Sequence, residues 1–148
     1  MFSLEETWLL NNRVNLRLLD HLSDAQFAYM ANSRARSIGD QFAHLHNVRT
    51  MWLEVCSKTH LPKIEKGYAT KERVAEFLTA SAEAMAQMFM QAEMTGKLTG
   101  YKRGPIAFCG YMLAHEAHHR GQIILHLKQA KMSVDKMFGF SLWEWEKI

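Results

Sequence analysis

The segment AHEAHHRGQI, residues Ala114–Ile123, places three of the chain's eight histidines within five positions. His115 and His119 stand four apart, which on a helix puts them on one face with Cβ atoms about 6 Å apart. Phe108, Tyr111, Met112 and Ile123 lie on or beside the same stripe, so the spacing predicts a helix whose buried face carries two imidazoles. Buried ring nitrogens need partners, and one divalent ion shared between two histidines satisfies both. The segment also fits H-E-x-x-H, the helical motif in which two histidines bind zinc and the glutamate serves as general base of a peptidase. Which metal site this is depends on the rest of the chain.

Outward from that segment the pattern stays helical. Pro105 suits a first turn, and the helix that follows extends to about Lys131. Upstream, Ser3 and Glu6 form a capping box for a helix over about Leu4–His21. Its inward stripe is Leu4, Trp8, Leu19 and Leu22, interrupted by Asn12 and Asn15. A second capping signal, Ser23 to Gln26, opens a short helical piece around Phe27. A long helix follows Ser37 to about Cys56, with Ile38, Phe42, Leu45, Trp52 and Val55 on its apolar face, and another starts near Thr70 with Val74, Leu78, Met85 and Phe89, Phe77 beside them. Both prolines, Pro62 and Pro105, fall between helical patterns, and strand-like alternation is nearly absent. The prediction is all-α, a four-helix bundle forming a single domain over residues 1–148.

Composition narrows the function classes. Hydrophobic content of 48% with 22% charged residues describes an ordinary globular chain. The net charge of +3 is small and spread out. The basic stretch Lys58–Arg73 is interrupted by Glu65 and Glu72, so it reads as a solvated loop and not as a nucleic-acid surface. No apolar run approaches the ~18 residues a membrane span needs. The acidic start of the chain does not fit a signal peptide. Cys56 and Cys109 are isolated and suit reduced core thiols, hence a cytoplasmic protein. The ten methionines suggest an adaptable core.

A metal site needs a third ligand from another helix, and QFAHLHNVR offers His44 and His46. Two residues apart, they project about 160° from each other and cannot easily bind one ion together. Periodicity alone does not choose between them. His118 points away from the His115–His119 face. His126 is about 10 Å further along the axis, and His21 and His60 occupy a helix end and a loop.

The peptidase reading fares poorly. The extended motif wants glycine at the third position after the second histidine and another histidine three beyond. Gly121 and His126 are both out of register. Such enzymes also use a sheet above the helix, and no strands are predicted; a distant Glu144 would have to complete the ligand set.

YMLAHEAHHRGQIILHLKQA instead resembles the fourth helix of the DinB/YfiT-like metalloenzymes, whose hallmark is His-x-x-x-His-Arg-Gly-Gln, here His115, His119, Arg120, Gly121 and Gln122. SIGDQFAHL with Trp52 downstream is similar to the family's second-helix ligand segment. GYKRGPIAF and LWEWEK resemble its approach to the fourth helix and its C-terminal ending. Trp8 and Asn15 before LRLL fit more loosely. Nearly the whole chain is covered.

The resemblance implies a DinB/YfiT-like four-helix bundle, often a homodimer, with His44, His115 and His119 as metal ligands and Glu116 incidental. Three imidazoles leave an open position on the ion, zinc or nickel foremost among those such a site suits. Family members act as transferases or isomerases dependent on low-molecular-weight thiols. The expected function is therefore thiol S-transfer to a small electrophile, with no nucleic-acid or membrane partner. The alternatives are a metal-dependent hydrolase of a small molecule and a non-catalytic metal-binding stress-response protein. Asn15, Tyr111 and Gln122 are the candidate catalytic residues. Asn15, Tyr111 and Met112 are expected to line a pocket at the metal, or Asn12 and Asn15 to bond helix to helix. Arg120 and Gln122 either fix ligand orientation or face solvent. Trp143 and Trp145 are expected to cap the bundle end.

Overall fold

Ser3 opens the bundle: its hydroxyl accepts from Glu6 N at 3.1 Å while the Glu6 carboxylate accepts from Ser3 N at 2.9 Å, the reciprocal box the sequence predicts. The computed structural model describes residues 3–148. Helix α1 spans Leu4–His21, α2 Asp24–Ala28, α3 Ile38–Ser57, α4 Lys71–Thr95, α5 Gly104–Gln129 and α6 Lys136–Ser141, followed by a 3₁₀ turn over Trp145–Lys147. Ser23, Ser37, Thr70 and Asp135 cap the N-termini of α2, α3, α4 and α6 with their side chains. Gly96 ends α4 at φ 67°, a left-handed turn that glycine adopts without strain. No strand is present among the described residues. None of their helices is long and apolar enough to cross a membrane.

The four long helices α1, α3, α4 and α5 form the bundle, α4 packing on both α1 and α3, and α5 closing against the other three. Their core is split in two. One apolar cluster gathers Val14, Leu18, Phe42, Leu45, Leu78, Ile123 and Leu127. The other gathers Trp8, Leu53, Met85, Phe89, Phe108 and Met112. Along each helix a polar residue separates the two: Asn11, Asn12 and Asn15 on α1, Arg49 on α3, Ser81 on α4 and Glu116 on α5, all buried.

That layer is a connected network, as buried polar groups require. Arg49 Nε donates to Glu116 Oε1 at 2.7 Å and Arg49 Nη2 to Oε2 at 2.9 Å. Arg49 Nη1 donates to Asn12 Oδ1 at 2.9 Å and to the Leu78 carbonyl at 2.8 Å. Asn11 and Asn15 donate their amides to Glu116 Oε2 at 2.6 and 2.7 Å, and both accept from Arg120. Arg49 also lies over the Trp8 ring, 4.9 Å from its centroid. One guanidinium from α3 thus touches α1, α4 and α5 at mid-bundle and fixes the register among them.

Several side chains differ from the expected stripes. Val55 is exposed, and Leu53 takes the buried place on α3. The centre of the buried stripe on α5 runs through Met112, Glu116, His119 and Ile123, with His115 at its edge. Trp145 packs against the core, whereas Trp143 is 81% exposed. Cys56 and Cys109 are buried and free; burial pushes the Cys109 thiol up to about 11, so it is an inert core group.

Candidate metal centre

Ser37 starts α3 so that His44 falls two turns in, on the side facing α5. There it meets His115 and His119, which the four-residue spacing stacks on adjacent turns. One ring nitrogen from each of the three lies within 4.8 Å of the others. Ring centroids are 4.7 Å apart for His44 and His119, 4.6 Å for His115 and His119, and 5.5 Å for His44 and His115. His119 is buried, while His44 and His115 are half-buried, so the cluster is reachable from outside.

The donor set suits a divalent ion. Burial and the positive charge of Arg36 push His44 down to about 4. Burial, then the neighbouring histidines, do the same to His119. Burial also lowers His115, against the opposing pull of Glu116. All three are neutral imidazoles near pH 7, the form that ligates. His119 Nδ1 lies 3.1 Å from Gln41 Oε1; because Oε1 can only accept, Nδ1 carries the proton and the lone pair is left on Nε2. Gln41 was not foreseen, although it stands one turn before His44. His115 Nδ1 is buried with no hydrogen-bond partner among the described residues. The cluster can therefore hold a metal ion.

The other histidines are elsewhere. His46 is buried and its Nε2 bonds the Pro62 carbonyl at 2.7 Å, tying the α3–α4 loop to α3. His118 and His60 are exposed. His21 stacks on Phe138 at 3.5 Å between centroids.

Asn15 does not line the cluster: its side chain is consumed by Glu116 and Arg120 in the mid-bundle layer, the helix-to-helix arrangement. Met112 is fully buried in the apolar core and likewise lines no pocket there. Nor is Glu116 incidental. Burial pushes its carboxyl up, but the Arg49 charge, the bonds from Arg49 and Asn15, and Arg120 outweigh this and hold it below the usual range. A carboxylate holding four donated bonds, two of them from a buried guanidinium, cannot serve as a peptidase base. Arg120 is half-buried and braces Asn11 and Asn15. Tyr111 is 42% exposed and packs edge-on against Trp52. Gln122 is half-buried and, three residues after His119, falls on the same helical face.

No curated protein and no solved structure shows a significant match to the chain. The sequence profile of the DinB family matches residues 2–137, the span that holds all four bundle helices and the three histidines. The chain belongs to the DinB family.

Proposed function

We propose that His44, His115 and His119 hold a divalent ion, zinc or nickel, and that the protein is a metal-dependent enzyme transferring a low-molecular-weight thiol to a small electrophile. The observation that carries this reading is the cluster itself: three neutral, partly accessible imidazoles from two helices. Three protein ligands are the pattern of catalytic sites, which keep a fourth position open. The ion, when bound, supplies a Lewis acid that keeps a thiol ionised near pH 7, where a free thiol of pKa about 8.5 is only a few per cent thiolate.

The chain's own residues divide the remaining work. Gln41 holds the His119 ring in one tautomer. The Arg49–Glu116 pair ties α3 to α5 and so sets the distance between His44 and the two α5 histidines. Tyr111 and Gln122 lie one turn before His115 and one turn after His119, and we assign them to the substrate side. Half-exposure of His44 and His115 favours an open site over a closed structural one.

We further propose a cytoplasmic homodimer. Two buried free cysteines support the reducing compartment. The exposed line of small residues Ala107, Gly110, Ala114, Ala117 and Gly121 along α5 supports close packing of a second copy. Sedimentation equilibrium returning a monomer at micromolar concentration would refute the dimer.

The function is tested by incubating metal-loaded and metal-free protein with bacillithiol, glutathione, mycothiol or coenzyme A and a chloro- or bromo-substituted organic compound. The loaded protein should accelerate conjugation with one thiol and the metal-free protein with none. A cobalt-substituted sample should develop a sulfur-to-metal charge-transfer band on adding that thiol. Failure of all four thiols on both counts refutes the transferase and moves a metal-dependent hydrolase, or a non-catalytic metal-binding protein, ahead.

A further inference from the structure

Beside His44 the surface sinks into a hollow of about 220 Å³ whose walls include Arg36, Asp40, Asn47, Ile64 and Lys66. Its far wall is built. Asn47 donates Nδ2 to the Ile64 carbonyl at 2.8 Å and accepts from Ile64 N at 2.9 Å. Asp40 Oδ1 accepts from Gly67 N at 2.9 Å. The loop is thus pinned to α3 at residues 64 and 67, and Lys66 is held between the pins. Arg36, directly before the cap of α3, lines the same hollow.

The charges in this hollow are uncompensated. Neither Arg36 nor Lys66 lies within ion-pair distance of a carboxylate among the described residues. The single carboxylate in the walls, Asp40, is 8% exposed and turned to Gly67. Two cations against one carboxylate leave the hollow positive, and one of its walls is a member of the histidine cluster. Isolated surface lysines and arginines are ordinarily just solvated. Here two of them line one depression with a candidate metal ligand, and one of the two, Lys66, sits on a fastened loop.

We propose that this hollow binds the anionic head of the substrate, a carboxylate or phosphate group, with Arg36 and Lys66 as its cationic walls and the reacting end directed to the cluster. The proposal rests on the metal-and-thiol reading for the identity of that reacting end. Arg36 offers the planar fork that suits a carboxylate or phosphate, and Lys66 a point charge. The substrate class it selects is an acidic thiol over a neutral one.

The test compares mercaptosuccinate, 2-mercaptoethanol and succinate on cobalt-loaded protein, by charge-transfer band for the thiols and by calorimetry for all three. Mercaptosuccinate should bind at least about tenfold more tightly than 2-mercaptoethanol, and rising salt should erode that preference. Arg36→Gln and Lys66→Gln should each cut it about threefold, and the double variant should bring it near parity with 2-mercaptoethanol unchanged. Both positions are exposed, and unchanged thermal midpoints will show the fold intact. Equal affinities for the two thiols, each with its band, overturn the proposal and leave the thiol reading standing. Absence of a band with either thiol overturns the thiol reading, and succinate then decides. Binding that weakens in the double variant sustains the anion site, and binding that is absent or unchanged overturns it. Inorganic phosphate in place of succinate tells which anion the hollow prefers.

Discussion

Replacing Glu116 by glutamine separates two incompatible roles for this residue. The change keeps the shape of the side chain but removes the charge that faces Arg49, whose side chain is fully buried. One carboxylate oxygen becomes an NH₂ group pointed at donors: Arg49 Nη2, Asn11 Nδ2 and Asn15 Nδ2 all address Oε2, and Arg49 Nε addresses Oε1. Whichever way the amide turns, a guanidinium remains buried without its counter-charge. Breaking a buried pair from one side costs about 3–5 kcal/mol. For a chain of this length each kcal/mol lowers the thermal midpoint by about 2–4 °C, so the midpoint should fall by about 6–20 °C. Calorimetric melting of the metal-free protein measures this without involving the histidine cluster. A double-mutant cycle with Arg49→Met should return a coupling above about 1 kcal/mol. A midpoint within about 2 °C of the parent, with turnover abolished, would show that Glu116 acts chemically and would refute the structural role.

Other changes probe the surroundings of the cluster. Gln41→Leu removes the acceptor for His119 Nδ1 and should weaken metal binding about 10–100-fold in chelator competition, whereas Gln41→Glu, which still accepts, should retain it; equal affinities would exclude an orienting role. His46→Ala should cost about 1–3 kcal/mol in urea unfolding, through the lost bond to Pro62 and the cavity left behind, with the metal content unchanged. Gly39→Ala sets a Cβ 2.5 Å from the Phe27 ring, so that ring must swing aside or α2 must shift, at about 1–3 kcal/mol; an unaltered midpoint would contradict that packing.

The helices were readable because their signals are local. Ser3, Ser23 and Ser37 each mark a start that the structure keeps, and the prediction Leu4–His21 coincides with α1. The pairing of His115 with His119 was readable for the same reason, since a four-residue spacing fixes a shared face. The choice of His44 over His46 was not, because both flank one apolar face; what separates them is a non-local contact, the Pro62 carbonyl that takes His46. Least legible was the mid-bundle layer. Asn12 and Asn15 stood out as amides on an inward stripe, yet Arg49 falls among Phe42, Leu45 and Trp52, and Glu116 sits between Met112 and Ile123 on the buried face of α5. Each alone reads as an exception, and Glu116 was further masked by a motif that gives it another role. Only tertiary packing shows that the exceptions meet.

On the proposed reading, three histidines from two helices hold one ion. Elemental analysis of protein purified without added chelator tests it directly, in the parent and in five single alanine variants. About one divalent ion per chain is expected in the parent, in His46→Ala and in His118→Ala, and next to none in His44→Ala, His115→Ala or His119→Ala. Full metal in His44→Ala, or loss of metal in a folded His46→Ala, would contradict the assignment.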